Sequence, residues 1–374
     1  MTMAAPTDKL SIIIKSFLLR GGGIKEGGAA ANLNKTKAIN QDQDEHFATT
    51  TSTSTASCND ESGDDDNRSP TPPPPPAPLS PPKSRPSQLI PTHLSPHIKF
   101  SHGEYYTTRK RHSSFDSSLV TQLMAAGFIP ISTKHRLMPK LHHHRCILNL
   151  QQPDYLQLDS SSGSGVSSLH IPRSIRKKSK RYTVSINTSF DGVVKGCHSQ
   201  HGVDWLWPKI VKVFRELHDA TLYGDGTSTP LYRPNANATY TSRLSSSSRS
   251  IPIRLYSVEV YNTITNNLAA GELGYTVGSI YTSLTGFTSE SSAGSVQLSV
   301  LGKLLTRSGF TYWDLGTGFE YKQRLGAVMI EREEFLRLLY KARQEAKSEE
   351  DCVLSLPSEK RSNCSAKEMI DSVL

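Results

Sequence analysis

The sequence predicts an α/β fold, with a mixed sheet and flanking helices over its carboxyl-terminal half, and three observations carry that prediction. Residues 254–336 read as strand, strand, helix, strand, helix, and such alternation is the signature of a layered α/β domain. Tyr256, Val258 and Val260 alternate with Ser257, Glu259 and Tyr261, the period-2 pattern of a half-buried strand. Val296, Val300 and Leu304, with Leu301 and Leu305 beside them, repeat at helical spacing, and Ser308-Gly309 ends that run. Between these segments, residues 268–287 form two strand-like stretches broken by Gly271, Gly274 and Gly278, and glycine inside a strand marks a bulge or a close backbone approach. A strand at 310–316 follows, and L-G-A-V-M-I-E-R-E-E-F-L enters a last helix.

Composition bounds the rest. A chain of 374 residues with 36% hydrophobic content can bury one core of ordinary domain size, but not along its whole length. Residues 1–95 hold nine Lys/Arg and ten Asp/Glu, so the remainder carries a net +10 against the formal +9 of the whole chain. A basic folded part suits a polyanionic partner. The five cysteines (Cys58, Cys146, Cys197, Cys352, Cys364) are scattered without a C-x-x-C, which points to a reducing compartment and to neither a disulfide framework nor a zinc site. His142, His143 and His144 are consecutive, so at most two share a face of a strand; no metal site is expected there.

Taken in order, residues 1–20 contain the short basic amphipathic piece S-I-I-I-K-S-F-L-L-R, too short to span a membrane. It opens either an organellar transit peptide or a disordered tail, and a cytoplasmic location is the simpler expectation. The stretch up to residue 95 is Ser/Thr-rich, then acidic (Asp64, Asp65, Asp66), then a proline run at Pro72–Pro76. It cannot bury enough apolar surface to offset its ordering entropy, and is expected to be a disordered tail. Residues 96–168 read as a small amino-terminal subdomain: a helix bearing Leu119, Leu123 and Met124 that stops at Gly127, a strand R-C-I-L-N-L, and a Ser/Gly-rich linker over 160–168. The main domain is expected over 169–343, with a surface-loop insertion at 221–250 and a disordered tail over 344–374. Arg173, Arg176, Lys177, Lys178, Lys180 and Arg181 fall within twelve residues that contain no acid; on a helix, positions 173, 176, 177 and 180 share one side, where they can track phosphates. Next come a strand, Y-T-V-S-I-N, and a helix entered at Pro208, whose core stripe is Ile210, Phe214 and Leu217.

Five blocks in this order resemble the leucyl/phenylalanyl-tRNA–protein transferase family. Y-S-V-E-V-Y (256–261), L-A-A-G-E-L-G-Y (268–275), Y-W-D-L-G (312–316) and R-L-G-A-V-M-I-E-R-E-E-F-L (324–336) are similar to family motifs. So is the upstream S-L-H-I-P-R-S-I-R (168–176), followed by Gly196-Cys197 and a tryptophan, Trp205. No single block is specific; the order of all five is. The resemblance covers roughly residues 119–343. It implies an acetyltransferase-like (GNAT-type) mixed sheet, in which a pair of splayed strands, around 280–287 and 311–316, offers backbone N–H groups to a carbonyl.

The implied reaction is aminoacyl transfer from charged tRNA to the amino-terminal amine of a protein, with a role in N-degron-type degradation. An ester is already activated, so the protein has chiefly to position the amine, stabilise the oxyanion and manage one proton. No cofactor is expected; the partners would be the acceptor end of tRNA, on the six-residue basic run, and a protein with a free amino terminus, with the transferase a monomer away from membranes. The resemblance implies a pocket lined by Trp205, Ser257, Glu259, Leu284, Thr285, Phe287 and Gly316. Two of these depart from the family: Leu284 stands where a glutamate close to the reacting groups is expected, and Gly316 where a glutamine is. Asp314 is retained and is a catalytic candidate. Glu272 replaces an apolar pocket residue, and a buried carboxylate there would act as a base or meet a cationic group. Glu290 is a further candidate. The alternative is an N-acyltransferase using another donor such as acyl-CoA, or a non-catalytic binder of tRNA or protein amino termini; S-S-A-G-S-V before the helix is only a faint pyrophosphate loop.

Overall fold

A computed structural model describes residues 89–109, 115–151, 169–223, 231–232, 251–345, 352–356 and 364–372. The expected tail through residue 88, the 160–168 linker and most of the 221–250 insertion lie outside the described residues. Folded structure starts before residue 96, since Leu94 is fully buried.

The described residues form an α/β fold with two sheets. The smaller is antiparallel, ordered β1-β2-β4-β3, from β1 (Ile98–His102), β2 (Tyr105–Thr108), β3 (Ile129–Ser132) and β4 (Leu137–Lys140), with α1 (Ser117–Ala125) between β2 and β3. Asp116 caps α1, and Gly127 at φ +87° ends it, as the sequence pattern expects. The larger sheet has the order β12-β5-β11-β10-β9-β8-β6-β13. Its strands are β5 (His144–Asn149), β6 (Tyr182–Ile186), β8 (Ile251–Asn262), β9 (Leu268–Val277), β10 (Ile280–Thr288), β11 (Tyr312–Asp314), β12 (Val328–Glu331) and β13 (Cys364–Ser365). A two-residue strand, β7 (Leu231–Tyr232), pairs with β8 inside the expected insertion.

Two apolar layers sandwich this sheet. One packs α1, α3 (Phe190–His201), α4 (Pro208–Tyr223) and α7 (Arg332–Glu345) around residues such as Phe214, Leu273 and Tyr275. The other packs α5 (Ala293–Arg307) and α8 (Ala366–Asp371) around Tyr256, Tyr281 and Trp313. The short helices α2 (Arg173–Lys178) and α6 (Glu320–Arg324) complete the set.

Two expectations about domain limits are corrected. The strand R-C-I-L-N-L does not belong to the amino-terminal subdomain: as β5 it lies between β11 and β12 of the large sheet. Its residues face both layers, Ile147 one and Cys146 and Leu148 the other, so its affiliation is set by partners more than 150 positions away. The carboxyl-terminal stretch is also no simple tail. Cys364 and Ser365 pair with β6, and Ala366, Met369 and Ile370 are buried against the α5 layer, an anchor too short to show a periodic pattern.

The feature that positions the site is where β10 and β11 part. These parallel strands pair only from Ile280–Tyr312 to Thr282–Asp314. A register shift between Ser283 and Thr285 leaves Leu284 as an extra residue against β9 and bends β10 away. Beyond Asp314 the chain keeps to β5 instead, with Leu315 N–H on Cys146 O and Cys146 N–H on Gly316 O, both 2.8 Å. Asp314 itself is fully buried and anchors this turn. It accepts from Arg145 Nε at 3.1 Å and from Arg145 Nη2, from Thr282 Oγ1 at 3.2 Å and from Gly316 N–H at 2.9 Å.

Two stability measurements check this reading. Asp314→Ala would leave the Arg145 guanidinium buried and unpaired, a loss of about 3–5 kcal/mol in urea unfolding. Ile370→Ala should lower stability by about 2–4 kcal/mol, the range for a filled core position, whereas a segment that did not pack would show a change too small to resolve.

Candidate functional site

The parted strands form a wedge whose two sides face different layers, and the sequence-predicted site residues divide between them. On the α3 side stand Leu284, Thr285 and Phe287, with Trp205 half-buried at the start of α4. Phe287 is held tightly: a Cβ at Gly196 of α3 would come within 2.4 Å of its ring. Two α3 side chains reach the unpaired edge of β10, His201 Nε2 to Gly286 O at 2.8 Å and Gln200 Oε1 accepting from Thr288 N–H at 2.8 Å. The Cys197 thiol beneath is pushed up to about 12 by burial, so it is an inert packing group rather than a nucleophile.

Ser257 and Glu259 face the same layer but are fully buried, two strands away on β8. Glu259 accepts from Ser257 Oγ at 2.6 Å, Ser185 Oγ at 2.7 Å, Thr188 Oγ1 at 3.0 Å and Ser189 N–H at 3.0 Å. That carboxylate ties β6 to β8 and holds the start of α3, and no part of it is exposed to a pocket. Ser257 Oγ also lies 3.4 Å from His218 Nε2, but neither reaches the surface. Asp314, the catalytic candidate, is likewise fully occupied by the anchor described above.

Glu272 points to the opposite side, toward α5, and is not in one pocket with Ser257 and Glu259. It accepts from Tyr281 OH at 3.0 Å, Ser283 Oγ at 2.9 Å and Gln297 Nε2 at 2.8 Å. Burial raises its pKa, and the three donors only partly offset that. Trp313 Nε1 donates to Ser283 Oγ at 2.9 Å, extending this network to β11. Glycine at 274 is required here, because a Cβ would lie 2.1 Å from Tyr281 Oη. Glu290 accepts from Asn262 Nδ2 at 2.9 Å and Tyr182 OH at 3.3 Å, both away from the wedge, and holds the loop before α5.

Sequence reasoning missed Lys322. On α6 it folds back so that Nζ donates to Leu315 O at 2.6 Å and Thr317 O at 2.8 Å, flanking Gly316 on the β11 side of the wedge. Burial lowers its pKa to about 8, against opposing pushes from Cys146, Asp314 and Glu272. Gly316 has φ +71°, and a Cβ there would meet nothing within 4 Å. No sequence signal marks Lys322, since its placement depends on the turn that Asp314 fixes.

The consecutive histidines separate. His142 Nδ1 lies 3.0 Å from Arg145 Nη1, His143 Nδ1 2.6 Å from Arg332 Nη2, and His144 Nε2 3.0 Å from Glu331 Oε1. Among the described residues no group of three potential ligands could hold a metal ion, and no helix is long and apolar enough to cross a membrane.

The basic run forms α2 and a following turn of 3-10 helix, Ser179–Arg181. The tightening at Ser179 rotates Lys180 off the stripe expected of a continuous α-helix. Arg173, Lys177, Lys178, Lys180 and Arg181 are exposed, and Lys178 Nζ donates to Ser292 Oγ at 2.8 Å. Ser292 lies in the loop that follows β10, so these cations stand at the end of the wedge strand. Arg176 reaches Ile370 O at 3.3 Å and Asp371 Oδ1 at 3.4 Å, tying α2 to α8. Lys303 lies near Arg176 and Arg307, and its pKa is lowered by burial and by those two charges, so cationic side chains of α2 and α5 stand close together.

Comparison with known proteins falls on the same stretch of chain. Residues 165–230 and 253–340 match the profile of the family described as leucyl/phenylalanyl-tRNA protein transferase. The two segments run from α2 into α7 and omit the residues around β7. Among curated proteins, the Leucyl/phenylalanyl-tRNA--protein transferase of Solidesulfovibrio magneticus is 26% identical over 183 residues, 48% of this chain and 59% of that protein. The protein of the same name from Maridesulfovibrio salexigens is 25% identical over 181 residues, 46% and 61% of the two chains. That from Deinococcus radiodurans is 22% identical over 180 residues, 46% and 70%. The chain thus spans about three fifths of the length of the first two relatives. The profile match and these relatives together make residues 165–340 similar, at low identity, to the leucyl/phenylalanyl-tRNA–protein transferase family.

Proposed function

We propose that this chain is an aminoacyltransferase that moves an aminoacyl group from a charged tRNA to the amino-terminal amine of a protein. The observation that carries the reading is the junction of Lys178 with Ser292, which sets a cationic surface at the end of the strand that opens the wedge. A phosphate backbone following α2 and the α5 surface delivers its 3′ end toward β10. The ester carbonyl would enter between Ser283 and Thr285 on β10 and Leu315 to Thr317 on the other strand. There, backbone N–H groups of β10 beyond its pairing with β11 can meet a developing oxyanion, since Leu315 and Gly316 N–H are taken by Cys146 O and Asp314. The acceptor nitrogen then attacks, the C–N bond forms and the C–O bond to the ribose breaks. The chemistry needs orientation more than activation, because the ester arrives activated.

Trp205, Leu284 and Phe287 offer an apolar surface for an aminoacyl side chain on the α3 side. Glu272 meets the wedge from the other side, and its rim favours a cationic group on the aminoacyl or acceptor side. A GNAT-like origin of the sheet agrees with the β10–α5–β11 unit and its parting strands. A place in N-degron-type degradation follows from the reaction class, since addition at an amino terminus changes the residue a protein presents.

The direct test supplies tRNA charged with labelled leucine, phenylalanine or arginine together with a peptide that begins in Arg or Lys. Label transfer is expected; tRNA binding without transfer would make the chain a binder, and turnover of acetyl-CoA would make it another N-acyltransferase. Glu272→Gln should lower transfer, and unchanged transfer would remove that carboxylate from the site. Lys177→Glu with Lys180→Glu should weaken tRNA binding about equally for all charged species. It should also flatten the plot of log affinity against log salt by about one unit per lost phosphate contact.

A further inference from the structure

The wedge needs a group that accepts one proton, and most of its titratable side chains are already committed. Asp314 is consumed by Arg145, Thr282 and Gly316 N–H. Glu272 takes three hydrogen bonds, from β10 and α5. His142 has one ring nitrogen 3.0 Å from Arg145 Nη1 and the other 3.4 Å from Thr317 Oγ1, and burial holds its pKa well below the usual value. The Cys146 thiol is pushed up to about 11 by burial and faces the α5 layer.

We propose that Lys322 is the proton acceptor of the wedge, its neutral amine taking the proton that the attacking α-amine sheds and passing it to the departing ribose oxygen. The proposal rests on the transferase reading above. The bonds balance: the acceptor N–H breaks as C–N forms, Nζ becomes an ammonium, and it returns the proton as the C–O bond breaks and the 3′-hydroxyl leaves.

Geometry argues for it. A neutral lysine has two N–H groups and one lone pair, and the carbonyls of Leu315 and Thr317 take both donors. The third position on Nζ, the lone pair of the neutral amine, is therefore left over once the carbonyls on either side of Gly316 are satisfied. Phe319 and Tyr321, stacked with centroids 5.9 Å apart, place their rings 4.9 and 5.7 Å from Nζ, where they stabilise the ammonium once the proton is taken. The charged and titratable groups around it are Glu272 of β9, Asp314 of β11, His142 just before β5, Arg145 and Cys146 of β5, and Tyr321 of α6. Burial outweighs the anionic members of that set, so the amine titrates near pH 8, where a base in a neutral solution works well.

The test compares the native chain with Lys322→Met and Lys322→Arg under single-turnover conditions at pH 8. Arginine keeps a cation and donors for both carbonyls but cannot act as a base, so both variants should transfer about 100-fold more slowly with tRNA affinity unchanged. Transfer by the arginine variant within threefold of native would overturn the proposal and leave the side chain a mere positioning group. The acceptor's own α-amine also titrates near pH 8, so variants are compared at one pH. A second measurement needs no activity and no variant: competitive acetylation of the native chain by acetic anhydride, read by mass spectrometry of the Lys322 peptide across pH. Half-maximal reactivity near pH 8 supports a free amine in the wedge; a profile that titrates above pH 10 overturns it. A native chain that transfers from no charged tRNA while Lys322 still titrates near 8 would instead defeat the transferase reading.

Discussion

The buried pair of Arg145 and Asp314 is the constraint on which the wedge depends. Two fully buried charges in contact are costly to desolvate, and such a pair persists only when its remaining hydrogen-bonding capacity is filled. Here it is: Thr282 and the Gly316 amide complete the carboxylate, and His142 meets the guanidinium. Because Arg145 sits on β5 and Thr282 on β10, one carboxylate sets where β11 stops pairing with β10 and starts following β5. The bulge at Leu284 then takes β10 the other way. The opening is thus a consequence of one satisfied ion pair and one extra residue.

That opening has chemically different walls. Toward α3 it is apolar, with Leu284 and Phe287 over the packed Cys197. Toward α5 it is polar, with the Glu272 network running through Ser283 to Trp313, and Lys322 bound to carbonyls on the far strand. A group crossing the wedge meets a greasy face and a hydrogen-bonding face, the arrangement that orients an amphipathic substrate. The cationic surface of α2 meets the end of β10 from outside, so charge recruits and the wedge orients.

Much of this was legible in the sequence wherever a pattern repeats. The alternation at Tyr256–Tyr261, the stripe at Val296–Leu305 and the stops at Gly127 and Gly309 all mark elements that the structure contains. The helix that starts at Pro208, α4, likewise buries its stripe of Ile210, Phe214 and Leu217. What the sequence could not show was which face a residue takes. Glu272 and Glu259 both lie in motif strands, yet one opens toward α5 and the other is sealed beneath α3. A single register position decides that difference. The affiliation of β5, the burial of Ile370 and the fold-back of Lys322 all rest on partners remote in sequence or on a turn held by a side chain elsewhere.

The departures from the family pattern fall where the fold tolerates them. Glu259 and Asp314 are retained, and each is fully buried with four or more hydrogen bonds. Removing either would orphan several donors at once, each at a cost of about 1–3 kcal/mol. Leu284 and Gly316 stand at the changed positions, one only partly buried on a bulge and the other beside open space. Leu284 holds no other element in place, so exchange there costs little stability while it alters the wall of the wedge, whereas Gly316 supplies the positive φ at the turn that keeps the chain on β5. An activated ester asks for one proton acceptor and a few oriented donors, and those can come from more than one position around an opening of fixed shape. Divergence at such a site can redistribute the chemistry among nearby side chains without disturbing the frame, and the proposed role of Lys322, bound to the carbonyls on either side of Gly316, would be one physical route to it.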